Sequence, residues 1–127
     1  MLNKPNEEFV KEGAQKVTNK DVENVIIKSE DIKKKFRTSG PLARFLEDGQ
    51  LLILIVKDYW SGAYRQIPYG AIASIVFTLI YVLNPFDLVP DMLPLIGQVD
   101  DVAVVSACLL LIEHDLRNYM EWKKNNS

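Results

Sequence analysis

Between Tyr81 and Asp101 the chain reads Tyr-Val-Leu-Asn-Pro-Phe-Asp-Leu-Val-Pro-Asp-Met-Leu-Pro-Leu-Ile-Gly-Gln-Val-Asp-Asp, with three prolines and four aspartates set between two apolar runs. One regular helix cannot pass through it, because an interior proline loses a backbone hydrogen bond and its ring clashes with the preceding turn. The stretch therefore reads as a shaped connection between two helices. Asn84 can cap a helix start, Pro85 suits its first turn, and Asp87 stands where a capping-box acid would. Asp91 follows four residues later, on the same side if that turn is helical. Leu93-Pro94-Leu95-Ile96-Gly97 then turns the chain, with Gly97 able to take positive φ at little cost. Asp100 and Asp101 open the last helix, where carboxylates favour the positive end of the helix dipole.

The flanking sequence is helical in pattern. Residues 6–16 suit a short helix around Phe9, Val10 and Ala14. A second helix starts at Thr18 or Asn19, either of which can cap it. Its Val22, Val25, Ile26, Ile32 and Phe36 make one narrow apolar stripe. Thr38-Ser39-Gly40-Pro41 breaks the chain, and Pro41 suits the first turn of a third helix over 41–60. Leu51 to Val56 is continuously apolar and has the pattern of a buried strand as well as of a helix. Helix is chosen because the segment continues to Trp60 and no partner strand is visible. Ser61-Gly62 ends it, and Pro68 opens a fourth helix over 68–83. A fifth, over 99–122, carries Val102, Val105, Leu109, Ile112, Leu116 and Tyr119 at steps of three and four. The expected fold is all-α, with about five helices and a C-terminal apolar hairpin joined by the Pro/Asp-rich turn. Residues 1–40 read as a polar helical extension and residues 41–127 as the domain proper.

From Gln66 to Phe86 no residue is charged, a run of 21 residues, against the ~20 needed to span a bilayer. Proline and asparagine trim the clean helix to Tyr69–Leu83. Fifteen residues reach only ~22 Å at ~1.5 Å each, short of a ~30 Å hydrocarbon core. Charge placement still favours a membrane hairpin. Arg65 precedes its first helix and Lys123 and Lys124 follow its second, so both ends would be cytoplasmic by the positive-inside rule. Tyr59, Trp60, Tyr64, Tyr69 and Tyr81 flank the run as interfacial aromatics would. The other reading is a helix buried in a soluble cytoplasmic bundle, with those aromatics at the core edge. Both stay open on sequence.

Four carboxylates in one turn suggest a site for a hard divalent cation such as Mg²⁺ or Ca²⁺, with Asp87, Asp91, Asp100 and Asp101 as candidate ligands. Paired carboxylates also do acid–base work when one pKa is raised. The same acids and prolines are equally what a stable reverse connection needs. The chain shows no Ser-His-Asp set, no Cys-His set and no phosphate-cradling glycine loop. No catalytic residue and no organic cofactor is therefore expected. The net charge is −2, which gives no signal for nucleic acid. Residues 1–65 hold 12 Lys/Arg against 10 Asp/Glu and residues 66–127 hold 3 against 7, so the two halves differ in sign. Lys33-Lys34-Lys35 and Arg37 form a basic run that could touch anionic lipid, although Glu30 and Asp31 beside it favour a solvated helix face. Cys108 is the one cysteine, so no intrachain disulfide can form and a buried inert thiol is expected. His114, between two acids, reads as a surface residue. Met1 to Glu8 is polar and charged, and no signal peptide is expected.

The pattern Tyr81-x-x-Asn84-Pro85-x-Asp87-Leu88-x-Pro90-Asp91-x-x-Pro94-x-x-Gly97-x-x-Asp100-Asp101 resembles the signature of the YkvA family, a bacterial domain of unknown function. The likeness covers about residues 45–112, including Leu51 to Asp58, the short loop, Pro68 and the apolar helix. Asn84 departs from the serine that the family more often has, and both can cap. The resemblance implies a compact helical domain, often membrane-associated, with no established reaction. Three functions fit these observations. The first is a non-enzymatic module that packs against lipid or a protein partner, including a second copy of itself. The second is a metal-binding protein or metal-dependent enzyme centred on the aspartates. The third is a small soluble immunity or regulatory protein that masks a partner.

Overall fold

The structure, a computed structural model, describes residues 4–83 and 101–126. Among the described residues it is all-α, with seven α-helices, one 3-10 helix and no strand. In chain order these are α1 (Lys4–Ala14), α2 (Asn19–Ile27), α3 (Ser29–Thr38), the 3-10 helix (Gly40–Phe45), α4 (Leu46–Ser61), α5 (Tyr69–Leu83), α6 (Asp101–Leu111) and α7 (Glu113–Asn125). The connection between α5 and α6 falls on residues 84–100 and lies outside the described residues.

Local chemistry accounts for most of the boundaries. Thr18 caps α2 in a capping box: its hydroxyl accepts from the Asp21 N–H at 3.3 Å, and the Asp21 carboxylate accepts from the Thr18 N–H at 2.9 Å. Gly62 ends α4 with φ at 90°, a left-handed position where a side chain would be strained. Leu51 to Val56 is helical, as chosen above. Two of the expected helices are each two. The chain bends at Lys28 and again at Ile112, with backbone angles of −98°, 19° and −108°, 18°. Neither bend has a glycine or proline to announce it. The first leaves Ile27 70% exposed and seals Ser29 at 5%, so that α3 can turn Ile32 and Phe36 into the core. The third expected helix opens as the 3-10 turn through Pro41 before α4 begins.

Helix α5 sits at the centre. It packs against α1, α2, α3, α4 and α6, and every residue from Ala71 to Leu79 is buried. Each fully buried Ile, Val, Leu or Phe on it is worth roughly 1.5–3 kcal/mol. From Ala71 to Leu79, the longest charge-free run in the chain is thus covered by the protein's own helices. Among the described residues no helix is long and apolar enough to cross a membrane.

The first forty residues help build that cover. Phe9 packs edge-on against Phe77 and Tyr81, with centroids 5.2 and 5.6 Å apart. Phe9, Val10, Ala14, Val17, Val22, Val25, Ile32 and Phe36 belong to one hydrophobic core with α4, α5 and α6. On α6 the inward residues are Val104, Val105, Ala107 and Cys108, while Val102 and Leu109 of the expected seam are half-buried. Two glycines set the close approaches. A Cβ on Gly13 would enter the Phe77 ring, and one on Gly49 would come within 2.8 Å of the Phe36 ring. Gly13→Ala is therefore expected to cost about 1–3 kcal/mol through overpacking. Gly70→Ala, where a new Cβ meets nothing within 4 Å, should stay within about 0.5 kcal/mol of the parent. Urea denaturation midpoints at unchanged slope check both.

Candidate functional site

Of the four candidate metal ligands, Asp87, Asp91 and Asp100 lie outside the described residues, as do Asn84, Pro85, Pro90, Pro94 and Gly97 of the motif. The two motif residues that are described stand apart in role. Asp101 is the first residue of α6, half-exposed beside a shallow cleft formed with Ser39, Pro41, Leu42 and Val102. Tyr81 is buried against Phe9 and Phe77. Among the described residues, no three His, Cys, Asp or Glu side chains come close enough to hold a metal ion.

The polar constellation that the structure does bring together is at the opposite end of α5. There α4 ends, the Ser61–Pro68 loop reverses the chain, and α7 crosses. Asp58, near the end of α4, accepts hydrogen bonds from the Tyr119 hydroxyl at 2.5 Å and from Lys123 Nζ at 3.3 Å, both on α7. Tyr64, delivered by the loop, meets Tyr119 edge-on and Trp122 at a tilt, at centroid distances of 5.1 and 4.9 Å. Lys123 also lies over the Trp122 ring, 5.8 Å from its centroid. Arg65 closes the loop: its Nε donates to the Tyr59 carbonyl at 2.6 Å and its guanidinium lies 4.9 Å from the Tyr59 ring centroid. Of the five tyrosines and two tryptophans in the chain, all but Tyr81 are at this end. Trp60 and Tyr69 present 42% and 43% of their surface to solvent.

This end is suited to holding and contacting. Burial, and next the bond to Asp58, push the Tyr119 phenol well above the ordinary tyrosine range, so it stays a donor at neutral pH. Burial, and next the Asp115 charge, push Tyr64 the same way. Sequence reading missed the clasp because its partners are 61 and 65 residues apart. An acid next to the tyrosine-tryptophan end of an apolar helix was its only local signal.

Other candidates resolve simply. Cys108 is buried, and desolvation pushes its thiol up to about 12, partly offset by the Thr78 hydroxyl. Such a thiol is a poor nucleophile. His114 is exposed and pairs with Asn118 at 3.2 Å. In the basic run, Lys33 bridges Glu30 at 3.3 Å, and Lys34 and Arg37 are exposed.

Comparison with known proteins agrees with the motif. Residues 71–107 match the model of a family described as "Protein of unknown function (DUF1232)". That segment runs from α5 through the Pro/Asp-rich connection into α6. The uncharacterized membrane protein YkvA of Bacillus subtilis (strain 168) is 26% identical over 69 residues, covering 54% of this chain and 65% of that protein. The chain thus spans just under two thirds of the length of this curated relative. No solved structure matches.

The clasp carries a pH dependence of defined sign. Folded Tyr119 holds its proton more tightly than unfolded tyrosine does. Its stabilisation is therefore complete below the ordinary phenol pKa of about 10 and is lost as pH rises through the higher folded value. Cys108 and Tyr64 are shifted in the same direction and add to the alkaline loss. Tyr119→Phe is expected to lose about 1–3 kcal/mol at neutral pH and to flatten the fall in stability above about pH 10. Urea unfolding at pH 7 and 10.5 measures both.

Proposed function

We propose that the chain, which contains a YkvA-like domain of unknown function, is a non-enzymatic helical module that rests on a membrane surface by its aromatic end without spanning the bilayer. The observation that carries this reading is that Trp60 of α4, Arg65 of the loop and Tyr69 of α5 are all exposed at the end of a bundle whose apolar helix is buried from Ala71 to Leu79. Tryptophan and tyrosine have apolar bodies and polar tips, and favour the headgroup level. Basic side chains beside them can reach phosphates while their stems lie along apolar surface. Each Lys or Arg near an anionic leaflet adds about 1 kcal/mol. Half-buried Lys57 and exposed Lys124 belong to the same elements, α4 and α7. The name of the Bacillus relative, a membrane protein, supports a membrane setting. The hairpin orientation with cytoplasmic termini needs a spanning helix, and none of the described helices is long and apolar enough. Surface association needs none.

The test is co-sedimentation of the detergent-free protein with phosphatidylglycerol-phosphatidylethanolamine vesicles. Binding is expected, with a blue shift of tryptophan emission that Trp60→Phe reduces. Combining Trp60→Ala, Tyr69→Ala and Arg65→Gln should weaken binding at least about tenfold, the equivalent of about 1.4 kcal/mol. A protein that stays in the supernatant, with emission unchanged by vesicles, contradicts the proposal.

A further inference from the structure

A cavity of about 480 Å³ opens between the end of α1, the start of α5 and the bend between α6 and α7. That volume is in the range of pockets that hold small organic ligands. The room exists because the facing residues of α1 and α5 are small. Ala14 and Ala73, with Val17 and Leu111, give it apolar walls. Lys11 from α1 and Asp115 from α7 add one charge of each sign. Neither joins an ion pair with the other or with any other described residue. Tyr69, one of the two exposed aromatics of the aromatic end, also lines the cavity.

We infer that this cavity binds the zwitterionic headgroup of a phosphatidylethanolamine, with the phosphate toward Lys11, the ammonium toward Asp115 and the glycerol end of an acyl chain along the apolar walls. The choice of a lipid as occupant rests on the membrane-surface reading above. The choice of a zwitterion rests on charge complementarity. A purely anionic head would be drawn to Lys11 but repelled by Asp115. A purely apolar occupant would offer neither charge a partner and would take water from half-buried Asp115, which is costly. One positive and one negative group on the same ligand satisfies both.

The experiment titrates the full chain with dihexanoyl-phosphatidylethanolamine kept below its aggregation concentration, by calorimetry without vesicles. Saturable one-to-one binding is expected, at least about tenfold tighter than for dihexanoyl-phosphatidylglycerol. Lys11→Glu, at an exposed position, should weaken it by about the same factor, and Asp115→Asn should erase the preference between the two lipids. Circular dichroism confirms that each variant is folded. No saturable binding, equal affinity for the two lipids in the parent protein, or affinities unmoved by both substitutions would overturn the inference. The vesicle assay separates the two ideas. Vesicle binding without monomer binding removes the cavity proposal alone, and monomer binding without vesicle binding removes the surface proposal alone.

Discussion

Helix α5 has no charge and buries Ala71 to Leu79 without interruption. Water cannot be left against such a segment, so other chain must enclose it on all sides. The remaining helices are placed by that demand. α1 comes close enough that Gly13 meets Phe77, and α3 and α4 come together where Gly49 meets Phe36. α2 and α6 supply further sides. Even the bend at Lys28 serves it, since Ile32 and Phe36 turn inward only after the chain changes direction there.

The cover also explains the aromatic end. To lay α4 against α5 the chain must reverse within Ser61–Pro68, and Gly62 supplies the left-handed residue that lets it. The loop carries Tyr64 under α7, whose one fully sealed residue is Tyr119. Among the described residues, the Asp58 bonds and the ring contacts of Tyr64 with Tyr119 and Trp122 hold α7 down, with Leu116 and Trp122 packed at the core edge. Two further aromatics that the reversal leaves outside, Trp60 and Tyr69, give that end its amphipathic character.

Much of this was legible in the sequence because it is local. The Thr18 cap, the Gly62 stop, the Pro68 start and the fifteen-residue extent of α5 follow from residue types within one helical turn. The bends at Lys28 and Ile112 were not legible. Their residues continue the apolar spacing, and only packing with distant parts of the chain favours a bend: Ile32 and Phe36 enter the core after Lys28, and Tyr119 meets Asp58 and Tyr64 after Ile112. The Asp58–Tyr119 bond was hidden for a related reason: nothing at either residue points to a partner so far along the chain. The membrane-or-core ambiguity of residues 66–86 was also beyond local reading, since an apolar helix looks the same against lipid and against other helices. The aspartate-rich turn, with Asp87, Asp91 and Asp100, lies outside the described residues, and its cation-binding reading stands where the sequence left it.

Amide hydrogen exchange on α5, with detergent-free protein in the presence and absence of vesicles, measures directly what encloses that helix. Enclosure by the protein predicts that amides from Ala71 to Leu79 exchange only through global unfolding, with the same protection in both samples. Rapid exchange of these amides without vesicles, with protection appearing only when vesicles are added, would show that lipid rather than α1, α3, α4 and α6 covers α5, and would contradict the fold described above.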